Sequence, residues 1–288
     1  MASAEDVEDP YDVAGAATST SDLPMKNACM SKARETSHQN LNVDSTVTEL
    51  MKPQPKPKPK ADVPSQQTTY FGRDGLAAYT LDPARYPQSR VVYYNDGFVV
   101  INDLYPKSEV HMLILPRDQS KNVMHPTDAF DDPNFLALCR REEKKVRAIA
   151  ASELQRRLGK YSALDRARLD AMEADELPNE AALPQGRDWN SEIMTGIHAN
   201  PSMNHLHIHV LSRDLHSEKM KKWNHYQSFT TDFFTSMEEF PLALDDHRRA
   251  YRHFPEELRC WRCGRSFGRK FAELKRHLEE EFERWKKE

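Results

Sequence analysis

The chain lacks any apolar run near the roughly 18 residues that a helix needs to cross a bilayer, so no membrane partner is expected. Cysteine is scarce: Cys29, Cys139, Cys260 and Cys263 are the only four in 288 residues, and only the last two stand close enough in sequence to act together. A disulfide framework is therefore not expected, and a metal site at that pair is the alternative to examine. Charge of one sign is not in excess either, with 41 Lys and Arg against 45 Asp and Glu for a net charge of -4. Any nucleic-acid binding must then rest on local basic groups, not on a global field. The opening MASAEDVEDPYD is acidic, unlike a signal or transit peptide, which points to a soluble intracellular protein. Residues 1–65 are also poor in aromatics and end in KPQPKPKPKADVP, whose alternating prolines favour an extended spacer. They are expected to form a disordered tail or linker; contact of the Lys-Pro run with phosphate or an import receptor is the alternative.

What is present fits one main domain with unequal flanks, since 38% hydrophobic and 30% charged residues support one sizeable core. Order is expected from near Tyr70. RVVYYNDGFVVIND reads as strands over 90–94 and 98–103 joined by a turn at Asn95, Asp96 and Gly97, and VHMLILP as a third strand. Asp132 caps and Pro133 opens a helix with apolar Phe135, Leu138, Cys139, Val146, Ile149, Ala150 and Leu154 at helical spacing. SEIMTGIH and NHLHIHVLS complete an α+β fold, a sheet of about five mainly antiparallel strands with packed helices. Residues 160–188 read as a charged insertion containing a second helix with too narrow an apolar stripe to be core. The expected boundaries are 66–240 for the main domain and 241–288 for a small domain at its end.

In NHLHIHVLSRD, His205, His207 and His209 alternate with Leu206, Ile208 and Val210, so on a strand the three imidazoles share one face. Exposed decoration, a zinc site and nucleophilic attack on phosphorus compete for that face. A zinc site lacks an obvious acidic ligand, since Asp214 lies past the strand's end. An imidazole titrating near 6.5 is a good nucleophile at neutral pH, and its neighbours, if protonated, bind oxyanions.

A second constellation lies further on. Cys260 and Cys263 flank a two-residue knuckle, and on the amphipathic FAELKRHLEEEFERW His277 and Glu281, at i and i+4, share a face. Two thiolates, an imidazole and a carboxylate make a tetrahedral structural zinc site; Glu280 is the alternative fourth ligand but points away. Arg259, Arg262, Arg265, Lys270, Lys275 and Arg276 give this finger phosphate-binding potential, offset by Glu279, Glu280 and Glu283.

HLHIHVL resembles the histidine-triad motif of nucleotide hydrolases and transferases, and VVINDLYPKSEVHMLILPRD resembles the first half of that fold. YPKSEVH, GIHANPSMNHLHIHVLSRD, HYQSFTTDFF and CWRCGRSFGRKFAELKRHLEEE narrow the resemblance to the aprataxin branch, in a short fungal-type form, over roughly residues 70–288. The resemblance implies a nuclear DNA-repair hydrolase that removes AMP from 5′-adenylated DNA ends. His207 would take up the AMP, His209 would bind phosphate oxygens, and His205 would orient the nucleophile. Lys107, His198 and Ser202 would neutralise charge, Asp103 would hold the ribose, and His111 would stand behind them. Phe98, Ile101 and Leu104 would line the adenine pocket. Arg117, Lys121, Phe71 or Tyr70, Lys221, Lys222, Arg262, Arg265 and Lys270 would meet DNA. Double-stranded or nicked DNA, AMP and RNA–DNA junctions are the expected partners, with zinc in the finger and no catalytic metal. The chain departs from the family in two ways: Asn224 stands where a lysine is usual, which shifts that role to Lys221 or Lys222, and Glu109 adds a negative charge near the phosphate site. A histidine-triad hydrolase of small dinucleotides or AMP-amides with a purely structural finger is the rival reading, and a non-catalytic binding module the third.

Overall fold

A computed structural model describes residues 72–174, 183–251 and 253–288. The expected tail over 1–65, Tyr70 and Phe71 lie outside the described residues. A short helix α1 (Ala77–Leu81) precedes strands β1 (Val91–Tyr94), β2 (Phe98–Asn102) and β3 (His111–Pro116). Helices α2 (Pro126–Ala129), α3 (Pro133–Leu158) and α4 (Ala163–Met172) follow. Strands β4 (Ile193–His198) and β5 (Ile208–Ser212), helix α5 (Trp223–Thr230), strand β6 (Phe234–Ser236) and helix α6 (Phe271–Trp285) complete the order.

The strands form one sheet in the order β1-β2-β3-β5-β4-β6, and every neighbouring pair is antiparallel. The sixth strand, three residues long, was not expected from the sequence; it is too short to show alternation. The turn at Asn95 forms as expected, with Asn95 Oδ1 accepting from Gly97 N and Phe98 N. Asp132 caps α3 by accepting from Asn134 N and Phe135 N, and Pro133 sits in its first turn. α3 runs past Leu154 to Leu158, and of the residues expected in its apolar stripe Leu138 and Ile149 are exposed.

Register decides what each face carries. Directly paired residues project to the same side, so Leu113 paired with His209, His111 with Leu211, Ile101 with Leu113 and Gly196 with His209 share one face. The opposite face, with Val100, Met112, Ile114, Ile208 and Val210, packs on Phe135, Leu136, Cys139, Val146, Ala150 and Leu154 of α3 in the largest core cluster.

The finger is not a separate appendage. Leu258, Cys260, Phe267, Leu274 and Leu278 pack with Leu211, Tyr226 and Phe229 in a second cluster, while Trp285 enters the main core. The described residues all fall in one compact unit. The segment 160–188 helps to join its parts. Asp165 on α4 accepts from Trp189 Nε1 at 2.8 Å and from Arg187 N at 2.8 Å. Arg187 lies 4.6 Å from both the Trp189 and Trp285 rings and donates to the Trp285 carbonyl at 2.7 Å. The segment expected as a charged insertion is, at its described ends, a clamp on α6.

Candidate active site and metal centre

Residues that share the histidine face converge where β2, β3, β5 and β4 meet. Strand β5 begins at Ile208, so His205 and His207 precede it, contrary to the expectation of three histidines on one strand. The chain leaves the ladder because Leu206 N donates to Asn122 O and Asn204 N to Arg73 O. That turn aims the His205 carbonyl at His207, which donates from Nδ1 at 2.7 Å. His207 thus carries its proton on Nδ1 and keeps the lone pair of Nε2. His205 contributes by its backbone, and its side chain lies near Asp74.

A second relay sets the other tautomers. Lys107 N donates to His111 Nδ1 at 3.1 Å, so His111 holds its proton on Nε2 and donates it to His209 Nδ1 at 3.0 Å. Neutral His209 then carries its proton on Nε2, a buried atom with no hydrogen-bond partner among the described residues. Ser202 Oγ on the loop after β4 is another such atom. Asp103 Oδ2 lies 3.4 Å from His111 Nε2. The His198 ring is centred 4.4 Å from that of His209, and His207 4.9 Å. Lys107 is 1% exposed, with Nζ donating to Tyr105 O at 2.9 Å.

Burial decides the charge state. It pushes His207 below the ordinary imidazole value, His111 down to about 4, and His198 and His209 well below 6.5, with the neighbouring imidazoles and Lys107 adding to the effect on the last two. Protonated flanking histidines, the option open from the sequence, are disfavoured by this burial, which leaves the imidazoles around Lys107 toward the neutral form.

Other elements close the site. Phe229, on α5, meets His111 and His209 edge-on at 5.6 and 5.2 Å and His198 at 4.7 Å. Gly196 is demanded here, because a Cβ would stand 2.5 Å from Thr235 O and 2.9 Å from the Phe234 ring. Asp214, considered above only as a metal ligand, accepts from Glu109 N and His216 N at 3.0 Å each and from Ser212 Oγ, and burial pushes it up to about 7. It ties the loop that carries Lys107 to β5. Neither Phe229 nor Asp214 was assigned a role from the sequence, where only the SF and RD dipeptides marked them. Glu109 also gains an explanation: its side chain turns to Arg157 on α3, at 3.3 Å.

The structure moves Phe98 away from the site and gives the other expected residues the following partners. Phe98 belongs to the α3 core, on the face opposite the histidines, because it pairs with Pro116 and not in phase with Ile101. Ile101 is on the histidine face but fully buried among Val91, Val99, Leu113 and Leu115, whereas Leu104 is exposed. Arg117 donates to Thr80 O and Asn95 O, and Lys121 pairs with Asp132 at 3.0 Å; both hold local structure. In the finger, Arg262 pairs with Glu281 at 2.6 Å and with Glu288, Lys270 with Glu273 at 3.1 Å, and Arg265 lies over the Phe267 ring. Lys221 and Lys222 are exposed just before α5, while Asn224 Oδ1 is buried without a partner among the described residues.

At the finger, the donor atoms of Cys260, Cys263 and His277 lie within 4.8 Å of one another, with Cys263 Sγ 3.2 Å from His277 Nε2. Glu281 Oε1 stands 3.7 Å from that nitrogen, and its helix turn buries it while Glu280 is exposed. The donor set suits zinc. Asp103, His111 and His209 also bring donors within 4.8 Å of one another.

An antiparallel sheet with α3 on one face and, on the other, an unprotonated His207 nitrogen beside a donor-presenting His209 defines the histidine-triad class, here fused to a zinc finger. Residues 230–284 match the family described as C2HE / C2H2 / C2HC zinc-binding finger, and residues 83–225 the scavenger mRNA decapping enzyme C-term binding family. An aprataxin-like protein of Schizosaccharomyces pombe is 34% identical over 226 residues, covering 78% of this chain and 87% of its own. One of Saccharomyces cerevisiae is 33% identical, covering 73% and 95%. The crystal structure of the aprataxin ortholog Hnt3 from S. pombe superposes with a TM-score of 0.58 at 31% identity, covering 74% of this chain and 94% of that one. The same ortholog in complex with DNA gives 0.57 at 29% identity, over 74% and 96%. This chain belongs to the aprataxin family.

Proposed function

We propose that the chain is a DNA-repair deadenylase, a hydrolase that removes AMP from 5′-adenylated DNA ends left by abortive ligation. The observation that carries the mechanism is the paired tautomer relay: His205 O sets His207 as nucleophile, and Lys107 N, through His111, sets His209 Nε2–H as oxyanion donor. His207 Nε2 attacks the AMP phosphorus, forming a P–N bond as the bond to the DNA 5′-phosphate breaks. Water then attacks the same phosphorus, releasing AMP and returning the electron pair to Nε2. His209 Nε2–H, Ser202 Oγ–H, His198 and Lys107 stabilise the charge that develops on the non-bridging oxygens, typically the largest contribution in such chemistry. Asp103, beside His111, holds the ribose, and Ile101 backs the adenine pocket.

Cys260, Cys263, His277 and Glu281 hold a structural zinc, which when bound cross-links the knuckle to α6. The enzyme works on double-stranded or nicked ends and on RNA–DNA junctions, in the nucleus, with Lys221 and Lys222 as exposed phosphate contacts next to α5. The deciding experiment offers the purified protein a 5′-adenylated nicked duplex and a small AMP-amide. A kcat/KM at least a hundredfold higher on the duplex is expected; equal or reversed efficiencies assign the chain to the hydrolases of small nucleotides.

The Asp103, His111 and His209 cluster favours a second reading, a metal at the triad. Brief chelation separates the two. Retained AMP-amide hydrolysis supports imidazole chemistry, and immediate loss restored by metal supports the cluster.

A further inference from the structure

An aromatic ladder runs outward from the site on the side away from Asp103. Sheet order puts Asp103, at the end of β2, on one side of His207 and His209, and puts β4 and β6 on the other. The His198 ring, at the end of β4, is centred 5.2 Å from Phe233, Phe233 4.9 Å from Phe254, and Phe254 6.0 Å from Trp223. Tyr251 braces the ladder at 5.7 Å from Phe233 and 6.3 Å from Phe254. Phe233 is fixed by its backbone, whose carbonyl accepts from Ala199 N at 2.7 Å. The outermost ring, Trp223, is 48% exposed, an uncommon amount of open indole surface. It follows directly on exposed Lys221 and Lys222, and a cavity of about 260 Å³ opens between it, Phe254 and Arg269.

We propose that Trp223, backed by Phe254, is a stacking platform for a nucleobase of the leaving DNA strand, the one carried by the nucleotide whose 5′-phosphate departs. The inference rests on the deadenylase reading and deepens it. An adenylate whose ribose lies at Asp103 and whose phosphorus lies at His207 points its leaving group toward β4 and β6, where the ladder begins. A strand leaving that way meets cations and an indole face together, the combination that binds nucleotides without reading sequence. The position next to Trp223, Asn224, offers no charge to phosphate, so affinity there comes from stacking and from the two preceding lysines.

The test compares an adenylated duplex carrying a normal 5′ nucleotide with the same duplex made abasic at that nucleotide. Trp223→Ala is expected to lower kcat/KM about tenfold on the first, mostly through KM, and to change it much less on the abasic duplex. Trp223→Phe is expected to restore most of the loss. In His207→Asn protein, a 2-aminopurine at the 5′ position should be quenched on binding, and Trp223→Ala should remove that quenching. Equal losses on both duplexes, or no loss on either, overturn the platform and leave the deadenylase reading standing. Failure of the unmutated protein to release AMP from either duplex overturns both.

Discussion

Replacing Trp285 by alanine tests whether the finger and the sheet form one cooperative unit. Trp285 is 2% exposed, its indole lies under Arg187 at 4.6 Å, and its Nε1 donates to Glu192 Oε2 at 3.0 Å. A buried Trp→Ala change costs about 3–5 kcal/mol from lost transfer energy and the cavity left behind. Glu192 keeps Arg187 at 2.9 Å and Arg213 at 3.8 Å, so the lost hydrogen bond leaves no stranded carboxylate and adds little. For a folded unit of roughly 200 residues each kcal/mol moves Tm by about 2–4 °C, which gives a fall of about 8–16 °C for a loss of about 4 kcal/mol. Trp285→Phe keeps the ring and should fall by less than half as much. Calorimetry on the zinc-loaded protein reads the result: one transition in the parent protein, shifted as a whole in the variant. Two resolved transitions, or a main transition moved by less than about 3 °C, would refute the shared core. Because Phe229 covers the histidines and packs with finger residues Leu258, Leu274 and Leu278, the variant should also lose AMP-amide hydrolysis near its lowered Tm.

Three further outcomes follow from the site. His207→Ala should abolish acid-labile labelling of the protein by adenylate, while His207→Asn stays folded and equally unlabelled; label surviving in either variant would move the nucleophile elsewhere. The acid limb of kcat/KM should fall below pH 6.5, because burial lowers His207 and the neutral form is the active one. The same depression means that the unfolded chain binds protons the folded one does not, so stability is lost as pH falls below about 6.5; an acid limb at or above that value would contradict the burial argument. Arg262→Ala should leave the salt slope of DNA binding unchanged, since its guanidinium is held by Glu281 and Glu288, whereas one lost phosphate contact would reduce the slope by about 0.9.

Local pattern was enough wherever one residue type had one physical use. The Asn95 turn, the Asp132 cap, the pairing of Cys260 and Cys263 with His277, and the burial of Glu281 over Glu280 are all short-range matters of turn chemistry and helical phase. The grouping of His207 with His209 was legible in the same way, because alternation brings residues two apart to one side. Where His205 leaves the strand was not legible, since Asn122 and Arg73, distant in sequence, draw its neighbours off the ladder. Phe98 went to the wrong face because a bounded apolar run such as FVVI has no period to choose a side; pairing with β3 chose it.

Composition and motif by themselves determined that this protein has a histidine-lined strand end, a zinc-binding finger with a Cys-Cys-His cluster, a capped helix over the sheet, and membership of a family recognised by those residues. Tertiary structure alone decided the protonation pattern and the pairing of charges. Nδ1 of His207 carries its proton because the His205 carbonyl sits opposite it, and Nε2 of His209 carries the other because its Nδ1 accepts from His111, whose own tautomer the Lys107 amide sets; burial pushes both rings toward the neutral form. It also decided that Arg262 is held between Glu281 and Glu288, and that α6 shares a core with the sheet. A sequence records which groups can ionise or donate; which partner each one meets depends on distances between segments far apart in the chain, and only the folded chain sets those.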